Sequence, residues 1–169
     1  MMYYAKYFFI TSIIGFIIES VVCGNFKGNS GILYGPWTVV YGFGSVLILL
    51  INKIVSKNIK NKVLKVISLF IISTILLTIL ELIGGILIEK IFGIVFWDYS
   101  DCKYNIGKYI CLEMSLLWGI ASIAFIYLLK PLIDKIIKYI PNIVIYILIF
   151  LILLDLITTL FLKLVFNKK

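Results

Sequence analysis

The sequence contains no histidine and no arginine, so all 16 of its basic residues are lysines. The missing histidine removes the usual general base, the Ser–His nucleophile pair and every imidazole metal ligand. The missing arginine argues against nucleic-acid binding, because bidentate recognition of bases and phosphates relies on arginine. Neither an ordinary soluble enzyme nor a nucleic-acid-binding protein is indicated.

Charged residues of either sign are also scarce. They make up 14% of the 169 residues, against 63% hydrophobic residues, whereas globular proteins carry about a quarter charged residues. The apolar excess must therefore face lipid. The lysines lie between apolar runs, so the net charge of +8 indicates membrane orientation and attraction to anionic lipid head groups.

Cysteine is limited to Cys23, Cys102 and Cys111. An odd count without C-x-x-C spacing argues against a disulfide framework or a zinc site. The chain also lacks the G-x-x-x-x-G-K-[ST] loop that would hold a nucleotide. We therefore predict no bound metal and no cofactor.

Five apolar runs are each long enough to cross a bilayer, which takes about 20 residues. They predict an all-α, polytopic transmembrane bundle that forms a single integral membrane domain over residues 1–169. The spans are expected at about residues 4–22, 36–55, 66–88, 109–129 and 142–165, with Pro36 at a helix start. One apolar face in residues 130–141 predicts a short interfacial helix before the last span.

Lysines in the connections set the expected orientation. Between spans two and three there are five lysines and no acid, and the connection between spans four and five is also basic. The positive-inside rule then places both connections and the N-terminus in the cytoplasm, with the C-terminus outside. Lysines at the C-terminal end oppose this assignment for the last span.

Four of the eight acids fall inside the predicted spans: Glu19, Glu81, Glu113 and Asp155. A charged side chain there costs about 2.5 kcal/mol or more, so it usually faces protein or water. We expect Glu19 and Glu81 to bind a ligand or ion in a shared cavity in the outer half of the bilayer; protonated packing residues are the alternative. Asp155 fits helix packing first and ligand binding second, and Glu113 fits the outer interface.

Small residues accompany these acids. Gly15 lies one turn before Glu19, and Tyr41 and Gly42 lie on one face of the second span, as close helix packing requires. The connections 24–36 and 93–105 are rich in glycine and aromatic residues, and we expect them to fold back over the helix ends as a re-entrant lid. Gly35, Pro36 and Asn105 are assigned to helix packing or ligand contact in these connections.

The segment Trp97-Asp98-Tyr99-Ser100 combines acceptors with aromatic faces. That combination suits a cationic or amine-bearing ligand, through charge pairing and cation–π attraction. The alternative is that Asp98 caps a turn and Trp97 anchors at the lipid interface.

A series of motifs follows in order along the chain: Gly15-Phe16-x-x-Glu19, Gly31-x-x-Tyr34-Gly35-Pro36, Tyr41-Gly42-Phe43-Gly44, Glu81, Glu89-Lys90-x-Phe92-Gly93, Trp97-Asp98-Tyr99-Ser100, Asn105-Ile106, Ile110-Cys111-Leu112 and Ser115-Leu116-x-Trp118-Gly119. Through these motifs the chain resembles, over about residues 8–131, the family named Putative ABC-transporter type IV, also called CmpB-like. It departs from the family pattern at Ser30, often arginine, at Phe16, usually tryptophan, and at Val39, usually a second proline.

The resemblance implies a transport role in the cell membrane, as a permease-like or substrate-binding membrane subunit. Its expected partners are membrane lipids and a separate ATPase or other membrane subunit, with a second copy of the chain as a further option and no nucleic acid. A non-transporting scaffold or assembly factor is the alternative. An intramembrane enzyme working through carboxylate pairs is a third class.

Overall fold

The computed structural model describes residues 1–22 and 33–166, and it confirms the predicted all-α architecture. Five helices in these residues are long and apolar enough to cross a membrane. The elements are α1 (Met2–Val22), α2 (Val39–Asn58), α3 (Lys62–Phe92), α4 (Leu112–Ala124), a π-helical turn (Phe125–Leu129), α5 (Lys130–Ile136) and α6 (Asn142–Phe166).

Local signals set both ends of α3. The Asn61 side chain caps its start by accepting hydrogen bonds from Val63 N and Leu64 N, which satisfies two otherwise unpaired donors. Gly93 ends the helix in the left-handed conformation, with φ of 67°, which glycine adopts without steric cost. The 31 residues of α3 span about 46 Å at 1.5 Å per residue, well beyond the hydrocarbon core of about 30 Å.

Boundaries at α2 and α5 differ from the sequence-based expectation. The second helix begins at Val39, so the prediction that Pro36 occupies its first turn is wrong; Pro36 lies in a non-helical segment. The expected helix over 130–141 ends at Ile136 and continues directly from α4 through the π-helical turn. Unbroken hydrogen bonding through that turn explains the continuity, because Lys130 N still donates to Phe125 O.

The chain divides into two compact units, of which the first comprises Met1–Val46 and Leu132–Lys169. Within it, α1 and the start of α2 approach closely at glycines. A Cβ on Gly15 would lie 2.5 Å from the Tyr41 ring, and one on Gly42 would lie 2.3 Å from Ser12 Oγ. Only hydrogen at these positions permits such close packing.

The N-terminal turn of α1 is also tied to α5 within the first unit. The hydroxyls of Tyr3 and Tyr7 donate to Asp134 Oδ1 at 3.0 and 2.8 Å, and Lys6 Nζ donates to Ile137 O at 3.2 Å. These bonds fix the short helix α5 against the start of the chain.

The second unit, Leu47–Pro131, is built on the packing of α3 against α4. Gly119 of α4 faces Phe70 and Thr74 of α3 so closely that a Cβ would lie 2.2 Å from Thr74 Oγ1. The buried residues of α3 recur every four positions and form one stripe: Leu69, Ser73, Leu77, Glu81 and Gly85. The stripe brings Glu81 into the core of this unit.

A small hairpin connects α3 to α4. Strands β1 (Asn105–Ile106) and β2 (Ile110–Cys111) are antiparallel, with Asn105 paired with Cys111. Gly107 supplies the positive φ of 66° that the turn needs. The fourth helix consequently begins at Leu112, three residues later than expected, because Tyr109 lies in the hairpin turn and Ile110–Cys111 form β2.

Candidate functional site

Glu81 is the most deeply buried acid among the described residues, with 4% of its surface exposed. Its Oε1 accepts a hydrogen bond of 2.9 Å from the Tyr99 hydroxyl. Its Oε2 is also buried and accepts no hydrogen bond of ordinary geometry from the described residues, although the Trp118 side chain lies beside the carboxyl group. A carboxyl group inside a membrane-spanning helix is thus enclosed by aromatic side chains.

The side chains of residues 97–100 alternate between half-buried and exposed positions. Trp97 and Tyr99 are half-buried, whereas Asp98 and Ser100 are exposed. Trp97 Nε1 donates to Tyr109 O at 3.1 Å, and Tyr99 N donates to Lys108 O at 2.8 Å. The hairpin therefore holds the two aromatic residues against α3, where the Trp97 ring reaches Gly84.

Asp98 and Ser100 bind each other on the exposed side of this segment. Asp98 Oδ1 accepts from Ser100 N at 2.8 Å and from the Ser100 hydroxyl, and these bonds lower the pKa of Asp98. Asn105 Nδ2 donates to Ser100 O at 2.8 Å. This is turn-capping geometry, so the structure does not bring Asp98 or Ser100 to the Glu81 carboxyl.

An ion pair that no pattern in the sequence indicates anchors the hairpin to the end of α3. Lys108 Nζ and the Tyr109 hydroxyl both donate to the Glu89 carboxylate. The hydrogen bond to Glu89 raises the pKa of Lys108. The Tyr109 ring packs on Gly85, where a Cβ would lie 2.5 Å away. These contacts fix the wall that carries Trp97 and Tyr99.

Asp155 joins α6 to residues 34–37 within the first unit. It is 7% exposed and accepts hydrogen bonds from Tyr34 N at 3.0 Å, Gly35 N at 2.8 Å and Trp37 Nε1 at 2.8 Å. Thr159 of the same helix adds a fourth contact at 3.3 Å. The sequence placed Asp155 among packing residues but did not reveal these donors, which come from about 120 positions earlier in the chain.

The non-helical residues 33–38 lie beside the middle of two helices of the first unit. Thr38 N donates to Ser12 O at 3.0 Å, and Ser12 lies midway along α1, as Asp155 does along α6. Such backbone is tolerated at membrane depth only where protein satisfies its polar groups. Asp155 and Ser12 do so for Tyr34, Gly35 and Thr38, so residues 33–38 have the arrangement expected of a re-entrant segment.

Glu19, on α1, lies beside Thr38 at the end of residues 33–38 and is half-buried in the first unit. Its Oε2 accepts from Thr38 Oγ1 at 3.4 Å, and the Tyr41 side chain lies close enough to bond the carboxyl group. Glu81 belongs to the second unit, so the predicted approach of the two glutamates stays a prediction. Cys23 and most of the connection 24–36 lie outside the described residues.

Two cysteines and a glutamate meet in the second unit. The ligand atoms of Cys102, Cys111 and Glu113 all lie within 4.8 Å of one another. Hydrogen bonding to Cys111, together with burial, raises the pKa of the Cys102 thiol to about 11. Spacing along the sequence did not indicate this cluster, because the hairpin creates it.

A family model described as Putative ABC-transporter type IV matches residues 6–162 of the chain. The match includes every residue that carries the resemblance noted in the sequence. No curated protein and no solved structure gives a significant match.

Proposed function

Because the chain belongs to the Putative ABC-transporter type IV family and is a multi-pass membrane protein, we propose that it is a small transport component of the cell membrane. It acts as a permease-like or substrate-binding membrane subunit. Since the sequence has no nucleotide-binding loop, any ATP-driven step requires a separate ATPase subunit.

The Glu81 site carries this proposal. A carboxyl group at this depth needs a compensating partner, because an isolated charge in hydrocarbon is costly. Tyr99 supplies one hydrogen bond and the Trp118 side chain lies beside the carboxyl group; in this proposal the buried Oε2 also accepts from a ligand. A cation or an amine satisfies that oxygen and gains cation–π attraction from Trp97 and Tyr99.

The remaining candidate residues take supporting roles in this proposal. Asp98 and Ser100, on the exposed side of the same segment, attract a cation before it reaches Glu81. Glu19 offers a second carboxyl group in the first unit, beside the start of α2. Gly15, Gly35, Pro36, Tyr41, Gly42 and Asp155 shape the re-entrant segment and the helix contacts, and Asn105 holds the Ser100 backbone beside the hairpin. We assign no catalytic step to any of these groups.

The orientation proposed from the sequence places the N-terminus in the cytoplasm. Five lysines and no acid flank the α2–α3 connection: Lys53, Lys57, Lys60, Lys62 and Lys65. The hairpin and Trp97 then lie at the outer end of α3. A ligand from outside would enter through the aromatic segment.

Native mass spectrometry of the full chain, purified in mild detergent at its natural expression level, tests the proposal. We expect the chain to retain an ATPase subunit and a small cationic or amine ligand. Glu81→Gln should lose the ligand and keep the ATPase subunit. Ser73→Ala, a change two turns away on the same stripe of α3, should lose neither.

A scaffold or assembly factor is the competing function, and the structural use of Asp155 favours it. If acids in this chain serve only to hold segments together, Glu81→Gln should lower thermal stability without changing any bound ligand. A wild-type protein that carries neither ATPase subunit nor ligand would contradict the transport proposal.

A further inference from the structure

Three potential metal ligands converge at the junction between the hairpin and α4. Cys102 follows the exposed segment, Cys111 ends β2, and Glu113 is the second residue of α4. Their two sulfur atoms and one carboxylate oxygen lie within 4.8 Å of one another. They come from three different local structures, so their convergence is a property of the fold.

Main-chain hydrogen bonds hold the cysteines in place. Cys102 N donates to Tyr99 O at 2.9 Å, and Leu112 N donates to Tyr104 O at 2.9 Å. Strand pairing sets Cys111 opposite Asn105. The arrangement therefore exists before any ion binds, which reduces the ordering that binding would require.

Burial differs among the three ligands in a way that suits a metal ion. Cys111 is 1% exposed, Cys102 is half-buried, and Glu113 is exposed. Cys111 forms the protected side of the cluster, and the exposed Glu113 carboxylate marks the side that is open at the protein surface. An ion can enter from that side and keep a water molecule as a further ligand.

We propose that Cys102, Cys111 and Glu113 form a binding site for a thiophilic divalent cation of the zinc class. Thiolate ligands select such ions over magnesium or calcium. Bond lengths of about 2.0–2.3 Å place the ligand atoms of a tetrahedral site roughly 3.5–3.8 Å apart. This separation is compatible with the three ligand atoms here, which all lie within 4.8 Å of one another. Three protein ligands and one water complete four-coordination.

The same two sulfurs could instead form a disulfide, through loss of two protons and two electrons to an oxidised thiol carrier. That product needs only Cys102 and Cys111 and gives Glu113 no role. The position of the carboxylate beside both sulfurs favours the cation. The disulfide is therefore the competing outcome of the test.

The experiment uses the full chain carrying Cys23→Ser, in detergent, reduced with a phosphine and stripped with a chelator. Cobalt(II) is the probe, because thiolate ligation gives a charge-transfer absorption band. We expect one cobalt per chain, displaced by zinc. Cys102→Ser and Cys111→Ser should each remove the charge-transfer band.

Glu113→Gln and Asp101→Asn separate ligation from general electrostatics. Both remove one negative charge from an exposed position beside the cluster, so neither variant threatens folding. Glu113→Gln should weaken cobalt binding about tenfold or more, since even outer-shell changes at metal sites cost about 10–100-fold. Asp101→Asn should change it by no more than about threefold.

Two results would overturn the assignment. One is a reduced protein that binds no cobalt and reoxidises to a Cys102–Cys111 disulfide, as peptide mass mapping would show. The other is equal weakening by Glu113→Gln and Asp101→Asn, which would reduce the role of Glu113 to charge alone.

Discussion

Asp98 shows how one exposed residue is fixed by its neighbour. The Ser100 hydroxyl and N–H both donate to its carboxylate, and these bonds lower the pKa of Asp98. A lowered folded-state pKa means that the bonds stabilise the turn above the unfolded aspartate value of about 3.9. That stabilisation is lost as the pH falls through the folded-state pKa.

The first prediction follows from these two bonds. Ser100→Ala removes the hydroxyl donor and should raise the pKa of Asp98 toward about 3.9, whereas Ser100→Thr should leave it low. Carboxyl ¹³C NMR of aspartate-labelled protein in detergent, assigned with Asp98→Asn, measures the change. An Asp98 pKa that is the same in the alanine variant would show that the hydroxyl contributes nothing.

For single residues, the sequence predicted which residues are candidates for the site better than it predicted their hydrogen-bond partners. Glu81, Trp97 and Tyr99 are recognisable because acids within apolar runs and aromatic clusters are unusual, and the structure joins Tyr99 to Glu81 by a hydrogen bond. Lys108 and Tyr109 were missed because they lie in the turn of a hairpin whose two-residue strands have no periodicity to detect. Asp98 was assigned to the ligand site, yet the direction of its side chain depends on the strand-like alternation of residues 97–100.

Packing between elements is most demanding where glycine meets an aromatic ring. Gly84 and Gly85 are adjacent on α3 but face different surroundings. A Cβ on Gly84 would lie 3.6 Å from Trp97, an ordinary contact, whereas one on Gly85 would lie 2.5 Å from the base of the Tyr109 ring. The ring cannot move away cheaply, because its hydroxyl is bonded to Glu89.

The second prediction compares these neighbours. Gly85→Ala should destabilise the second unit by about 1–3 kcal/mol through overpacking, and Gly84→Ala should be neutral or slightly stabilising because alanine favours the helix. Thermal unfolding in detergent, followed by tryptophan fluorescence, measures both. Equal unfolding midpoints for the two variants would contradict the packing described here.

Hydrogen bonds to Asp155 hold the re-entrant segment in place. Replacing Asp155 with asparagine, which has the same shape, tests that role. In Asp155→Asn one carboxylate oxygen becomes an NH₂ group that faces an N–H donor, so at least one of three hydrogen bonds is lost. Hydrogen bonds to a charged group contribute about 1.5–3 kcal/mol each. The third prediction is that residues 33–38 separate from α6 in this variant.

Hydrogen exchange at the Tyr34 and Gly35 amides tests the separation. Exchange should accelerate by at least about tenfold, corresponding to about 1.4 kcal/mol, in Asp155→Asn. It should stay unchanged in Thr158→Ala, since Thr158 is exposed and bonds only the backbone of its own helix. Unchanged protection in the asparagine variant would remove Asp155 from this role.

The lengths of the apolar runs were sufficient to predict the membrane-spanning helices, but they did not predict the residues at which these helices begin. Residues 33–38 carry no charge, and proline suits the first turn of a helix, so the sequence assigned Pro36 to the start of α2. The backbone there is non-helical because a carboxylate and a helix carbonyl satisfy its N–H groups. A long-range contact of this kind leaves no local pattern in the sequence.

For the whole molecule, the number of spanning helices and the positions of the lysines together determine the proposed orientation. α3 is longer than the hydrocarbon core is thick, so both of its ends must leave the bilayer core on opposite sides. Lys60 precedes it and Lys103 follows it, and both are exposed. In the proposed orientation the lysine-rich start of α3 lies in the cytoplasm, which places the hairpin outside.

The last prediction concerns labelling of these two positions. A background carrying Cys23→Ser, Cys102→Ser and Cys111→Ser receives either Lys60→Cys or Lys103→Cys. A membrane-impermeant maleimide applied to intact cells should label position 103 and leave position 60 unlabelled, because the bilayer separates the reagent from the cytoplasmic end. Permeabilised cells should show labelling of both, which proves that position 60 is reactive. Labelling of position 60 in intact cells would reverse the orientation and move the entrance of the proposed Glu81 site to the cytoplasmic face.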